Sequence, residues 1–370
     1  MMDLQQEYGP ALGTREPPHR PAPGAVRPAM VTARSPLRIS LAGGGTDIPS
    51  YSSRHGGLVI GCAIDRYVGV TVFPREFSGR LRTASESHSE SHSEPYSESY
   101  ELCDTAADHP NRMTRACLLR AGLHRDRQVA VFSDVPPGSG LGGSAAFAVS
   151  LLHAAAHPRA ASARELAETA ARVEIEDLGR AVGKQDHYLA AYGGILLLRF
   201  HRSGRVDPEP LDLPPRVRDG LEERLMLFHT GISRDAGDVL AEQNRRTLEG
   251  HSDSLTRLHA IRRLADDMAD CLRAGDVSGV AGLVEEHWRL KSKLGSRVSS
   301  PALQALHDRA VEAGAAGGKL LGSGGGGFLL LVCEPGRRQT EVRAAMAEAG
   351  LRALPFRFTD SGSEAGHVPL

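Results

Sequence analysis

The residues in this sequence best placed to handle an anion lie in three glycine-rich segments. The strongest reads Pro136-Pro137-Gly138-Ser139-Gly140-Leu141-Gly142-Gly143-Ser144-Ala145-Ala146, after a short apolar strand, Val129–Phe132, and before an Ala/Leu-rich helical stretch. Small residues let backbone N–H groups close around phosphate oxygens, and the start of a helix adds free donors and a positive dipole end. Pro137, Gly138, Ser139, Gly140, Leu141, Gly142, Gly143 and Ser144 are therefore read as a phosphate cradle. It is not a Walker loop, because no Gly-Lys-Ser/Thr follows at the required spacing. Nor is it a dinucleotide fingerprint, since no ribose-binding acid follows a second strand.

The second segment runs from Ser35 to Asp47 and puts Arg38 on a strand and Asp47 just after Gly43-Gly44-Gly45-Thr46. Arg38 could neutralise phosphate, and Asp47 could accept hydrogen bonds from sugar hydroxyls. An Asp after Gly-Thr is equally a turn or helix cap. The third segment, Gly317 to Gly327, holds four consecutive glycines with Gly325 among them, and apolar Phe328–Val332 follows at once. That context favours close packing against the first loop over a flexible linker. Glu174, Glu176 and Asp177 fall within one helical turn, where Glu174 and Asp177 share a face; all three also fit a solvated helix surface.

Elements must position these groups. Alternating apolar residues predict paired strands over Leu58–Phe73 around a turn at Asp65-Arg66. Helices are expected over Ala145–Ala156 and Ala163–Leu178, with a strand at Ile195–Phe200. The second half opens with a strand at Leu225–His229, continues through three or four helices from Ala236 to Gly314, and ends with a helix near Arg338–Ala349 and a strand near Leu354–Phe358. This is an α+β pattern and not alternating βαβ. The Pro- and Gly-rich stretch 202–218 marks a boundary. The expected organisation is a disordered leader (1–30), an N-terminal domain (31–205), a C-terminal domain (206–360) and a frayed tail (361–370). Met30 is a candidate start, and the Ser/His/Glu-rich stretch Thr83–Glu101 reads as a solvated surface loop.

Bulk properties exclude other classes. With 44 basic and 45 acidic residues among 370, no overall field attracts nucleic acid or an anionic membrane. The longest apolar runs, Gly194–Phe200 and Phe328–Cys333, are far too short to span a bilayer. The N-terminus lacks the apolar core of a signal peptide, so a cytoplasmic location is expected. Five scattered cysteines without a C-x-x-C pair read as reduced thiols. The sequence carries no signal of oligomeric state.

In this order and at these separations the three motifs resemble the GHMP kinases, a superfamily that includes galactokinase, homoserine kinase and mevalonate kinase. The phrases LRISLAGGGTDIPSY, EIEDLGRAVGKQDHYLAAYGG, TGISR and GSGGGGF resemble the branch that phosphorylates D-glycero-D-manno-heptose 7-phosphate, over about residues 34–358. The resemblance implies a two-domain GHMP kinase fold that binds ATP, Mg²⁺ and a small sugar or sugar phosphate between the domains.

By the same resemblance, the Pro137–Ser144 loop wraps the ATP phosphates, the Ser144 hydroxyl and Glu174 hold Mg²⁺, and Asp186 is the catalytic base. Glu176 is the alternative metal ligand. Arg38 keeps Asp186 ionised and helps stabilise charge; Gly44, Gly45, Thr46, Asp47, Lys184, Arg234 and Gly325 face the substrate. Phosphoryl transfer needs mainly positioning, charge neutralisation and a carboxylate near the attacking hydroxyl, and those parts are present. The implied reaction is phosphorylation of the anomeric hydroxyl to a 1,7-bisphosphate. The alternatives are an anomeric kinase for an unphosphorylated fucose- or galactose-like sugar, and a non-catalytic sensor on the same fold.

Overall fold

The computed structural model describes residues 30–75, 78–86, 98–232 and 236–368. Its first half runs β1 (Met30–Ala42), α1 (Pro49–His55), β2 (Gly57–Pro74), β3 (Leu81–Glu86), β4 (Glu98–Cys103), α2 (Arg112–Arg120), β5 (Arg127–Ser133), α3 (Gly143–Ala156), α4 (Ala163–Arg172), α5 (Gln185–Tyr192), β6 (Ile195–Phe200) and β7 (Val206–Pro210). The second half runs α6 (Pro215–Arg224), β8 (Leu225–His229), α7 (Ala236–Leu248), α8 (Ser252–Arg273), α9 (Val280–Lys291), α10 (Pro301–Glu312), β9 (Gly317–Leu320), β10 (Phe328–Val332), α11 (Arg337–Glu348), β11 (Arg352–Ala353) and β12 (Glu364–Val368).

Two sheets organise the chain. The larger has the order β12-β1-β2-β5-β3-β4, with β6 also pairing β2 and β7 pairing β6; the smaller is β11-β8-β10-β9. All the strand pairs are antiparallel except β3 with β5. In β1, Leu37, Ile39 and Leu41 lie in the core, and strand alternation turns Arg38 and Ser40 to the other face. Alternation also explains the continuous apolar runs of the small sheet. Leu225, Leu227, Leu330 and Val332 enter the core under the large sheet, while Met226, Phe228, Leu329 and Leu331 enter a second core with α8 to α11. Helix α3 is buried along most of its surface, as its Ala/Leu/Val composition requires.

The structure corrects four expectations. Asp65-Arg66 is no turn: β2 continues through it, and the pairing with β1 shifts between Pro36 and Leu37. The displaced residues pair instead with the segment before β12, the Asp65 amide donating to the Arg357 carbonyl at 2.9 Å. The flanks of the Ser/His/Glu stretch form the β3–β4 ladder, with Thr83 opposite Glu101, while residues 87–97 lie outside the described set. Residues 206–210 extend the first sheet, so the large sheet does not end at 205.

The last correction concerns the tail. Residues 364–368 cover the edge of β1, held by the Arg34–Glu364 ion pair at 2.8 Å and a Ser35–Ser363 hydroxyl contact at 3.0 Å. An open edge strand favours such pairing, which composition alone does not show. The leader, residues 1–29, also lies outside the described set. Among the described residues no helix is long and apolar enough to cross a membrane. The five cysteines are free.

Candidate active site

The phosphate loop leaves β5 and enters α3. Gly138, Gly140 and Gly142 take φ values of 72°, 76° and 81°, left-handed conformations that fold successive amides toward one side. Leu141 anchors the loop in the core, and its carbonyl accepts from the Arg38 amide at 3.0 Å. Gly142 caps α3 without a side-chain hydrogen bond, so no side chain competes for the first-turn amides. Pro137, Gly138 and Ser144 are exposed and Ser139 is buried.

Opposite the helix start stands Glu174. A π-helical turn, Val173–Asp177, continues α4 and rotates Glu174 inward to 2% exposure, whereas Glu176 and Asp177 face outward. Ser144 Oγ donates to Glu174 Oε1 at 3.0 Å, and Arg180 donates to Oε2 at 3.0 Å. The His187 ring lies 3.4 Å from Oε1. Burial alone would raise this carboxyl, but His187 and Arg180 outweigh it and hold its pKa down at about 2. Asp177 pairs with Arg120 instead, at the edge of a cavity of about 630 Å³ that Arg112 and Arg115 also line.

Asp186 sits in the first turn of α5 and meets Arg38 of β1. Arg38 Nε and Nη2 donate to its two carboxylate oxygens at 2.7 Å each, and Arg38 Nη1 donates to the Gly140 carbonyl at 2.6 Å. One planar guanidinium thereby ties the carboxylate to the phosphate loop. A Cβ placed on Gly142 would lie 3.2 Å from Arg38 Cγ and 3.5 Å from Asp186 Cβ, so the pair reaches the loop at the glycine that caps α3.

Asp47 lies beside this pair. Its oxygens accept from the Gly45 amide (3.1 Å), the Gln185 side-chain amide (3.1 Å) and the Gln185 backbone amide (3.3 Å). Burial first, then the nearby Asp186 charge, push its carboxyl above the ordinary value. Gly44 and Gly45 are partly open. Thr46 is not available to a substrate: its hydroxyl donates to the Gly43 and Leu58 carbonyls and is fully buried.

Lys184 also departs from expectation. Its ammonium pairs with Glu168 at 2.8 Å and the Gly204 carbonyl at 3.1 Å, because the chain turns into α5 just after it. The Gly325 amide is likewise engaged, donating to the Val298 carbonyl at 2.7 Å. Arg234 lies outside the described residues.

The third glycine loop buttresses the first. The Phe328 amide donates to the Ser139 carbonyl at 3.0 Å, and a Cβ on Gly322 would sit 2.7 Å from Gly140 Cα. Beneath both loops are groups that motif reading assigned no part in the site: Lys319, 1% exposed, contacts the Leu41 carbonyl at 3.0 Å and His287 Nδ1 at 2.8 Å. Burial, then Lys291 and Arg38, push Lys319 well below the usual lysine value. The available signal was a lysine inside an otherwise apolar strand, Gly317–Leu320. His187 and Arg180 were missed as well; only their closeness in sequence to Glu174 and Asp186 hinted at them.

Among the described residues no cluster of three His, Cys, Asp or Glu side chains could hold a metal alone. The oxygen pair of Ser144 and Glu174 does suit a hard cation that takes its remaining ligands from phosphate and water. The arrangement can cradle an anion, present two oxygens beside it, and hold one carboxylate by a bidentate arginine at its edge.

Comparison with known proteins agrees with this geometry. Residues 109–194 match the family described as GHMP kinases N terminal domain, and residues 268–351 match GHMP kinases C terminal. The chain is 32% identical to a D-glycero-alpha-D-manno-heptose 7-phosphate kinase of Campylobacter jejuni, over 91% of this chain and 99% of the relative. It is 28% identical to an L-fucokinase/L-fucose-1-P guanylyltransferase of Bacteroides fragilis, over 86% of this chain and 36% of that protein. Among solved structures, a D-glycero-D-manno-heptose 1-phosphate kinase from Bacteriodes thetaiotaomicron superposes with a TM-score of 0.71 at 26% identity, covering 91% of this chain and 99% of that one. A putative sugar kinase from Campylobacter jejuni gives 0.71 at 28% identity, covering 93% and 100%. The chain belongs to the GHMP kinases, ATP-dependent phosphotransferases with an alcohol group as acceptor.

Proposed function

We propose that this kinase transfers the γ-phosphoryl group of ATP to the anomeric hydroxyl of D-glycero-D-manno-heptose 7-phosphate, giving the 1,7-bisphosphate for nucleotide-activated heptose synthesis. The observation that carries the reading is the Asp186 carboxylate held by two Arg38 donors beside Gly142 of the phosphate loop. There the carboxylate accepts the proton of the attacking hydroxyl while Arg38, which also bonds the Gly140 carbonyl, keeps base and loop in register. The loop amides and the start of α3 hold the phosphates, and Asp47 with Gln185 orients sugar hydroxyls. Ser144 and Glu174 would hold Mg²⁺, which when bound would neutralise phosphate charge. The cavity beside Asp177 takes the nucleoside end of ATP. A cytoplasmic location belongs to this reading.

The heptose assignment is supported by the relative that covers almost its whole length with this chain. ADP release from purified protein with Mg-ATP tests it, on a panel of the heptose 7-phosphate, free heptose, fucose, galactose, mannose, homoserine and mevalonate. Turnover is expected for the heptose phosphate, falling by about 10²- to 10⁴-fold in Asp186→Asn. Turnover of a free sugar instead removes the 7-phosphate from the reading, and binding without any turnover replaces the kinase by a sensor.

A further inference from the structure

Lys291, the last residue of α9, is 7% exposed, and its ammonium donates to the Leu320 carbonyl at 3.3 Å and, by a short contact, to the Gly322 carbonyl. Neither acceptor carries a full charge. A buried cation without a charge partner is costly, and a site normally keeps one only where an anion completes it. Gly322 packs on Gly140, whose carbonyl accepts from Arg38, whose other donors hold Asp186. The side chain therefore stands one loop beneath the phosphate cradle.

We propose that Lys291 is a positioning cation of the phosphoryl-transfer site, clamping the third glycine loop against the phosphate loop and adding positive potential where ATP brings its charge. The inference rests on the reading of this cleft as the ATP site. Burial, reinforced by Arg38 and opposed by Asp186 and Asp47, lowers the Lys291 pKa to about 8. The charged groups around it are Arg38 from β1, Asp47 from the loop after β1, Asp186 from α5, Lys319 from β9, and His287 on its own helix. The buried face of α8, which packs along α9, is mostly apolar: Leu258, Ile261, Leu264, Ala265 and Met268. Because the pKa is lowered, the ammonium is present below pH 8 and is lost as pH rises through that value. Anion binding then weakens, and an arriving phosphate pulls a proton back on.

Calorimetric titration of the full chain with Mg-ATP, in wild type, Lys291→Arg and Lys291→Met, tests this. Between about pH 7 and about pH 9 the wild-type affinity is expected to fall by roughly five- to tenfold. Lys291→Arg, charged throughout and able to reach the same carbonyls, binds with no such pH dependence. Lys291→Met binds several-fold more weakly at neutral pH and is also insensitive. The wild-type pH dependence persisting in Lys291→Arg, or Lys291→Met binding like wild type, overturns the proposal. If Lys291→Met unfolds, the arginine variant alone decides. If no form binds Mg-ATP, the reading of the site falls with it; if Mg-ATP binds and no sugar is turned over, only the substrate reading falls.

Discussion

At the scale of single residues, the site depends on a few side chains whose charge is fixed by close partners. Glu174 is the clearest. Arg180 and His187 keep it ionised down to about pH 2, and Ser144 shares its Oε1. In Glu174→Gln the amide still accepts from Ser144 but carries no charge for the metal. The Mg²⁺ concentration giving half-maximal activity should rise by about 10- to 100-fold with the sugar KM nearly unchanged; an unchanged Mg²⁺ requirement would remove Glu174 from the metal site. Residue types and spacing pointed to the glycine loop, where strand, small residues and helix start leave few other roles, while Arg38 and Asp47 took their parts from the family resemblance. The resemblance also set Thr46 and Lys184 at the substrate, where the fold engages both side chains locally. A hydroxyl or ammonium beside a functional residue is as readily taken by a local carbonyl or carboxylate, and direction is a property of the folded turn.

At the scale of elements, two close approaches decide where the carboxylates stand. A Cβ on Gly183 would lie 1.8 Å from Asp47 Oδ2, so the turn into α5 fits against the Asp47 loop only without a side chain there. Gly183→Ala is expected to push these loops apart, raising the sugar KM by about tenfold or more while Mg-ATP affinity stays within about twofold. Equal loss of both would show that the turn supports the whole cleft. The π-helical turn at Val173–Asp177 is the second case. A regular 3.6-residue helix puts Glu174 and Asp177 on one face, yet the wider turn separates them and leaves Glu174 alone inside. Periodicity in the sequence does not register one widened turn, which is why spacing set Asp177 beside Glu174, while Glu176 stood as an alternative only through the family resemblance. The β2 bulge at Asp65-Arg66 escaped for the same reason: an alternating pattern persists on both sides of it.

At the scale of the whole molecule, the site is assembled from segments far apart in the chain. Arg38 and Asp186 are 148 residues apart, and Lys319 reaches the Leu41 carbonyl across 278. The small sheet delivers the third glycine loop to the first, and β12 returns along β1 to complete the large sheet. The strands β8 and β10 were legible because they read as continuous apolar runs. The return of the tail was not, since a short strand rich in Gly, Glu and His has little pattern of its own and forms where an edge awaits it. This assembly sets the glycine-rich loop, the Arg38-held Asp186 carboxylate and the Asp47 loop side by side, and the proposed phosphoryl transfer to a heptose 7-phosphate rests on that arrangement together with the likeness to a heptose 7-phosphate kinase. Phosphorus NMR of a reaction with Mg-ATP and D-glycero-D-manno-heptose 7-phosphate tests it most directly. The account predicts a product that keeps the original phosphate and gains a second at the anomeric carbon, absent with Asp186→Asn; a phosphate at any other position, or the same product formed at wild-type rate by that variant, would contradict it.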